Sequence, residues 1–362
     1  MATQLDFKEL QGLAAEILGI DPDQVQMDKS FQRDLAADSL DLVELIAAIE
    51  DRYDVELPDA ELEKMMETSD KWITERTGIH RRHIAEPGTT TFDVATKAAR
   101  AALDSAGITA QDLDMILVGT SSPDGPFPSV ACRVQNELDA PGAVAWDTLA
   151  ACTSFVYALS IADSFIATER ADTVLVIGAE VLSRMIDYTS RGTAVIFGDG
   201  AGAAVVRAAP RGAGFLSWCL GSDGRGYAQV TCGNIEKGAY AAKDPMPFIE
   251  MVGPDVFKFA VDIFIRQATE VCNAAGVGLD DIDLWVPHQA NFRIIDAAAR
   301  RIGLPMERVA VNIDEYGNTS SASIPLALEE AVRKGRVKSG DHVLLAGFGS
   351  GLTWGATLLK WA

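Results

Sequence analysis

Three side chains of this 362-residue chain have the types and settings that thioester chemistry requires. Cys152 stands in the small-residue turn of "WDTLAACTSFVYALSIADSF", just where the turn opens into a helical pattern. A thiol at a helix N-terminus is expected to have a lowered pKa, because the helix dipole favours thiolate. Thiolate is the competent nucleophile for thioester exchange. His288 closes a strand-like run in "LWVPHQANFRI", and Asn318 occupies the turn of "YGNTSSASIPLAL". All three lie where strands or turns meet helices, the usual place for a site in an α/β protein. Cys132, Cys219 and Cys272 fall in apolar patterned stretches and read as small core residues. Cys232 follows a glycine-rich loop and has no evident role. A fourth candidate, Ser39, opens the acidic stretch "AADSLDLVELIAAIE" (36–50). Asp38 suits an N-cap, Asp41 suits the positive end of the helix dipole, and Leu42, Leu45, Ile46 and Ile49 form one buried stripe. Ser39 lies off that stripe, in the first turn.

The elements that must position these residues show an internal repeat. "AGITAQDLDMILVG" (106–119) answers "AGVGLDDIDLWVPH" (275–288), and "ADTVLVIGA" (171–179) answers "GDHVLLAGF" (340–348). Gly107 and Gly276, like Asp172 and Asp341, are 169 residues apart. Two pairs at one offset indicate a duplicated α/β half, and alternating helical and strand-like segments predict α/β layers. Equivalent positions in two such halves converge on a shared cleft. "GDGAGAAVV" (198–206) imitates a phosphate loop but leads into a strand-like run, so phosphate cradling is not expected there.

Composition bounds the function. A net charge of −21 argues against nucleic acid or an anionic membrane as the main partner. No N-terminal run resembles a signal peptide, and none is long enough to span a membrane. Five scattered cysteines without metal-ligand spacing predict reduced thiols in a cytoplasm and no metal. Residues 1–67 hold 18 acidic against five basic side chains, so the front of the chain reads as a separate acidic module.

That front module, with Phe7, Leu10, Ala14 and Ile17 at helical spacing, resembles an acyl carrier protein. "LAADSLDLVELIAAIEDRYDVELPD" carries the likeness over roughly 55 residues, with D-S-L as its core. The resemblance implies that Ser39 bears 4′-phosphopantetheine, added by a phosphopantetheinyl transferase. A helix N-terminus tolerates the phosphate this brings. The acidic face with Asp41, Glu44 and Glu50 would dock on basic patches of partner enzymes.

The remainder, from about Leu62 to Trp361, is similar to β-ketoacyl-ACP synthase III. "AACTSFVYALSIAD", "FGDGAGAAV", "VPHQANFRI", "YGNTSSASIPLAL" and "GFGSGLTWG" carry that resemblance. It implies a five-layered αβαβα thiolase fold made of two duplicated halves. It also implies a decarboxylative condensation of acyl-CoA, acetyl-CoA first, with malonyl-ACP at the start of type II fatty acid synthesis. Cys152 would carry the acyl group, and His288 and Asn318 would bind the malonyl thioester oxygen as enolate charge develops. The backbone N–H groups of Cys152 and Ser350 would form the oxyanion hole, with serine standing where the family often has glycine. Phe348 and Phe127 would line acyl pockets, the latter across a homodimer, although both could equally be plain core. Trp72, Arg76 and Arg191 would hold CoA, and Gly253 and Asn291 would line its pantetheine channel. Lys258, Arg293, Arg300 and Arg301 would make a basic docking patch for a carrier, either a separate one or the chain's own.

This reading divides the chain into a carrier-like helical module (1–60), a nucleophile half (61–212) and a His/Asn half (213–362). It leaves one gap. "AGFLSWCLGSDG" (213–224) reads as the opening strand of the second half, and its counterpart 169 residues earlier falls at residue 46, inside the carrier helix. The first half is therefore expected to lack its opening strand, and no Gly/Ser/Pro-rich linker separates carrier from synthase. A carrier docked rigidly or partly misfolded is the consequence expected from that junction. Two other readings follow: a starter-unit synthase of a polyketide or branched-chain pathway, or a carrier or scaffold fused to an inactive synthase.

Overall fold

The computed structural model describes residues 11, 14–15, 21–26, 70–188, 190–233 and 248–362. Ser39 and its acidic helix lie outside the described residues, as does the junction expected at 60/61. By its internal contacts the chain divides into two units, Met1–Arg76 and Thr77–Ala362. In the first, Ala14 is fully buried, as the expected stripe requires, and Asp21 caps the turn Pro22–Gln24 by accepting from the Asp23 N–H at 2.9 Å. Helix α1 (Asp70–Thr77) places the Arg76 guanidinium 5.2 Å from the centre of the Trp72 ring, a cation–π contact.

The second unit shows the repeat as structure. Helix α2 (Thr91–Ala106) starts at a capping box between Thr90 and Asp93 and stops at Gly107, left-handed at φ +64°. Its counterpart α5 (Gly253–Ala275) stops at Gly276, φ +68°. Strand β1 (Met115–Gly119) is matched by β8 (Leu284–Pro287), and β3 (Thr173–Glu180) by β9 (His342–Gly349). Helix α4 (Ser154–Ala167) is matched by α7 (Ser323–Arg333). The offset of 169 holds at the ends of the paired helices α2 and α5 and at the starts of the other three pairs.

Strands β2 (Val144–Thr148) and β4 (Gly200–Arg207) complete the first sheet, in the order β2-β1-β3-β4, with β4 antiparallel to β3. The second sheet runs β5-β10-β9-β8, where β5 is Gly214–Ser222 and β10 is Thr353–Lys360. A short hairpin of β6 (Val230–Cys232) and β7 (Ile249–Met251) stands apart. Strand β5 is the expected opening strand of the second half, and the division expected at 212/213 falls in the turn between β4 and β5. Strand β10 is flanked by β9 and β5, whereas among the described residues its equivalent β4 pairs only with β3. The residues in which the sequence places the gap lie outside the described ones.

Five layers result. Helices α4 and α7 lie between the sheets, where Phe155, Leu159, Ile324 and Ala327 pack with Leu117, Val176, Val286 and Leu345. Helices α2 and α3 (Val130–Glu137) cover the outer face of the first sheet. Helices α5 and α6 (Phe292–Ile302) cover the outer face of the second. Every residue of β1 and β3 is buried, because parallel strands in a layered fold have helices on both faces. Each large aliphatic or aromatic side chain so buried contributes about 1.5–3 kcal/mol. Cys219 and Cys272 belong to this core, but Cys132 is exposed, contrary to expectation. It faces away from the buried stripe Val130, Ala131 and Val134 of α3.

Candidate active site

Cys152 lies in the 3-10 turn Ala151–Thr153, between β2 and α4. Ala151 is left-handed, φ +48°, which turns the chain sharply before the helix begins. Ser154 locks that bend by accepting from the Ala150 N–H at 2.8 Å and donating to the Ala151 carbonyl at 2.7 Å. The Thr153 and Thr353 hydroxyls meet at 2.8 Å, and Thr353 also donates to the Ser350 carbonyl at 3.1 Å. The cysteine turn and the Ser350 loop are thus one hydrogen-bonded assembly. Gly349 permits their approach: a Cβ there would stand 2.8 Å from the Cys152 nitrogen.

His288 follows β8, is 1% exposed, and donates its N–H to the Ala346 carbonyl at 2.8 Å. Its Nδ1 lies 2.6 Å from the Ser323 hydroxyl, so Nε2 is the ring atom left to meet substrate. The imidazole stands edge-on to Phe348, which is itself edge-on to Phe264. Gly347 joins this half to the nucleophile, for a Cβ on it would lie 3.7 Å from both the Cys152 carbonyl oxygen and His288 Cβ.

Asn318 is fixed three times. Its N–H donates to the Ile196 carbonyl at 2.9 Å, and its carbonyl accepts from the Gly198 N–H at 3.0 Å. Its side-chain oxygen accepts from the Ser320 N–H at 2.9 Å, leaving the carboxamide nitrogen as a donor. Ser320 then closes the set, because its side chain acts on the Cys152 thiol and favours its ionised form. Cys152, His288 and Asn318 are therefore brought together, as their sequence settings implied.

The charge state differs from expectation. Burial pushes the Cys152 thiol up to about 12, opposed by the Ser320 hydrogen bond and reinforced by the Glu180 carboxylate. The helix dipole does not prevail, since α4 proper begins at Ser154 and Cys152 sits in the desolvated turn ahead of it. Burial also pulls His288 down to about 3. At neutral pH the resting pair is an uncharged thiol beside an uncharged imidazole.

The other expected residues are more scattered. Phe348 is buried in the aromatic cluster next to His288. Phe127 is 84% exposed, in the loop between β1 and α3, and the edge strand β2 opens on the exposed Val144 and is followed by the exposed Leu149. The Ser350 hydroxyl donates to the Val230 carbonyl at 2.5 Å. Gly253 opens α5 with open space where its Cβ would be, and Asn291 caps α6 by accepting from the Arg293 N–H at 2.8 Å. Arg191 opens the single helical turn Arg191–Ala194, which leads to the bridge between Phe197 and Asn318. Trp72 and Arg76 belong to the first unit.

Of the basic residues, Lys258 lines a surface cleft with Gln229, Phe259, Asp262, Ile263 and Arg266. Arg300 pairs with Asp296 at 2.7 Å, and Arg301 with Asp262 at 3.0 Å. Such exposed pairs contribute little stability, and they temper the positive patch read from the sequence. Sequence reasoning missed Glu180, Ser320 and Ser323. The repeat held the signal for two of them, since it maps Ala151 onto Ser320 and Ser154 onto Ser323. No helix among the described residues is long and apolar enough to cross a membrane.

Comparison with known proteins agrees with this geometry. The 3-oxoacyl-[acyl-carrier-protein (ACP)] synthase III family matches residues 146–224, and its C-terminal family matches residues 272–361. The phosphopantetheine attachment site family matches residues 8–68, a span that includes Ser39. The β-ketoacyl-[acyl-carrier-protein] synthase III of Thioalkalivibrio sulfidiphilus is 49% identical over 308 residues, covering 84% of this chain and 94% of its own. The solved 3-oxoacyl-[acyl-carrier-protein] synthase III of Aquifex aeolicus VF5 superposes with a TM-score of 0.77 at 46% identity, covering 84% of this chain and 95% of its own. The priming β-ketosynthase of the R1128 polyketide pathway gives 0.77 at 35% identity, covering 84% and 91%. With Cys152, His288 and Asn318 gathered between two duplicated halves, the chain belongs to the β-ketoacyl-ACP synthase III family of acyltransferases and carries a phosphopantetheine-attachment segment ahead of the synthase.

Proposed function

We propose that this enzyme condenses an acyl-CoA primer, acetyl-CoA first, with a malonyl group held on an acyl carrier, through an acyl-Cys152 intermediate. The observation that carries the proposal is the convergence of Cys152, His288 and Asn318 around Gly347 and Ser320. In the first step the Cys152 sulfur attacks the acyl thioester carbonyl and CoA leaves with the thiol proton. The oxyanion formed on the way meets the backbone N–H groups of Cys152 and Ser350. In the second step a malonyl thioester loses carbon dioxide. His288 and Asn318 hydrogen-bond its carbonyl oxygen as enolate charge appears, and the carbanion attacks the acyl-Cys152 carbonyl; the C–S bond to Cys152 then breaks, the 3-oxoacyl group stays on the carrier, and the Cys152 thiolate regains a proton from water. A preorganised donor of this kind is worth about 10²–10³ in rate. Depressing the His288 pKa suits this role: with the Ser323 hydroxyl donating to Nδ1, the neutral imidazole carries its proton on Nε2 and donates without placing a second charge in a buried site.

Pantetheine on Ser39, installed by a phosphopantetheinyl transferase, would supply the thiol that holds malonyl groups. Arg191, Gly253 and Asn291 would receive CoA, and Lys258, Arg293, Arg300 and Arg301 a carrier. A homodimer joined along β2 would cover Val144, Leu149 and Phe127 and bring Phe127 to the partner's acyl pocket. These assignments place the enzyme at the first condensation of type II fatty acid synthesis in a cytoplasm.

The test is peptide mapping by mass after incubation with acetyl-CoA and longer or branched acyl-CoAs. An acetyl group on the Cys152 peptide, absent in Cys152→Ala, supports the reading. Preference for larger primers would favour a polyketide or branched-chain starter role, in line with the R1128 neighbour. No acylation by any of them would favour a carrier fused to an inactive synthase.

A further inference from the structure

Glu180 is a fully buried carboxylate at the end of β3 that the reaction above does not use. Its oxygens accept from the Thr120 hydroxyl at 3.3 Å, the Ser121 N–H at 3.0 Å, and the Ser122 N–H and hydroxyl at 3.1 and 2.6 Å. These partners all belong to the first half. The remaining donor comes from the second half: the Ser321 N–H, at 3.4 Å. None of these five donors is a cation, so the carboxylate is held by dipoles alone. Burial raises its pKa, and the hydrogen bonds from Ser122, Ser321 and Ser121 oppose that rise.

The repeat gives these contacts a meaning. Ala151 and Ser320 are equivalent, and both are left-handed at φ +48°. Each is followed by a residue whose N–H the sharp bend presents: Cys152 in one half, Ser321 in the other. The Cys152 N–H is the donor proposed above for the substrate oxyanion. The Ser321 N–H already has an anion, Glu180. The residue equivalent to Glu180 in the second half is Gly349, which meets the Cys152 turn with no side chain at all. So one turn faces a glycine and keeps room for substrate, while its twin faces a built-in carboxylate. Gly178, two residues before Glu180, lets the twin turn seat closely, since a Cβ there would fall 2.2 Å from the Ser321 carbonyl oxygen.

We propose that Glu180 is a positioning residue for condensation: its carboxylate fills the oxyanion-like place of the duplicated turn and thereby fixes the segment Asn318–Ser323. That segment sets both malonyl-facing groups. The Ser320 N–H orients the Asn318 carboxamide, and the Ser323 hydroxyl, 2.8 Å from the Ser320 carbonyl, stands 2.6 Å from His288 Nδ1. Loosening the clamp disturbs Asn318 and His288 while leaving the Cys152 turn on its own supports, Ser154 and Thr353. The second half-reaction then fails before the first.

The inference rests on the condensing role proposed above, and the wild-type enzyme separates the two: if it neither acylates nor condenses, that role fails and Glu180 is not at issue. Given an active wild type, full-length Glu180→Gln, Glu180→Asp and Ser122→Ala are compared in two assays, acetylation of Cys152 and carbon dioxide release from a malonyl-loaded carrier. Glu180→Gln keeps the shape but turns an amide N–H₂ towards N–H donors. It should slow decarboxylation and condensation by about tenfold or more while acetylation stays within about threefold. Glu180→Asp should recover part of the loss, and Ser122→Ala, which frees the carboxylate from the opposite side, should reproduce the split in smaller measure. Alkylation of Cys152 by iodoacetamide should shift to lower pH in Glu180→Gln, because a nearby negative charge is gone. Equal rates in both half-reactions, or both falling in proportion in every soluble variant, would overturn the assignment.

Discussion

Gly349→Ala is the perturbation whose effect the geometry sets most directly. The added Cβ would stand 2.8 Å from the Cys152 nitrogen, 3.2 Å from Ala151 Cβ and 3.3 Å from Cys152 Cβ. The nearest of these is backbone and cannot rotate away, so the cysteine turn must retreat by roughly 0.6 Å to reach ordinary contact. A shift of about 1 Å at a reacting group removes around 10²-fold in rate, so acylation of Cys152 should fall by about tenfold or more. Overpacking of this kind also destabilises by about 1–3 kcal/mol, a few degrees in melting temperature. Gly347→Ala is the internal control. Its nearest new neighbours are the flexible Ile324 Cδ1 at 3.3 Å, and then the Cys152 carbonyl oxygen and His288 Cβ at 3.7 Å. That variant should acylate within about threefold of wild type. Initial rates of acetylation, read by mass on the Cys152 peptide, decide the matter. Wild-type acylation by a folded Gly349→Ala would refute the view that this glycine sets the position of the nucleophile.

Four further outcomes are expected. Iodoacetamide should alkylate Cys152 some two to three orders of magnitude more slowly at pH 8 than it alkylates an ordinary thiol of pKa 9.0, with the rate rising up to about pH 12; a plateau below pH 8 would contradict the neutral resting thiol. The same shift bears on stability: the folded state holds the proton more tightly than the unfolded one, so this contribution is full below pH 9.0 and declines as pH rises towards 12, measurable by denaturant unfolding. His288→Ala and Asn318→Ala should each lower carbon dioxide release by about 10²-fold while Cys152 still acylates, a division that stopped-assay chemistry resolves. Leu149→Asp, at a site 77% exposed beside β2, should shift sedimentation from dimer to monomer, whereas unchanged sedimentation would remove β2 as the joining edge.

Much of this architecture was legible in the sequence because a duplication leaves paired marks. The Gly107/Gly276 pair ended α2 and α5, and the Asp172/Asp341 pair preceded β3 and β9, as the shared offset required. Cys152, His288 and Asn318 were visible because each follows a strand or opens a turn, where side chains must point into the cleft. What escaped was tertiary in origin. A helix-start cysteine promises a lowered pKa only if water or a cation accompanies the dipole, and here desolvation prevails. Cys132 read as core from its apolar neighbours, yet one residue of rotation on α3 puts it outside. Glu180 follows the apolar run 171–179, and only the fold gathers its donors, from Thr120 to Ser122 in its own half and from Ser321 in the other.

The most direct measurement is a coupled turnover. The full chain is mixed with acetyl-CoA and a separately prepared malonyl-loaded carrier, and the carrier is followed by intact mass together with released carbon dioxide. The expected result is a 3-oxobutyryl carrier formed with one carbon dioxide per product, absent with Cys152→Ala and strongly reduced with His288→Ala or Asn318→Ala. Acetyl-Cys152 that forms but never leaves for the carrier, or a product that survives loss of Cys152, would contradict a condensing site built from these three residues.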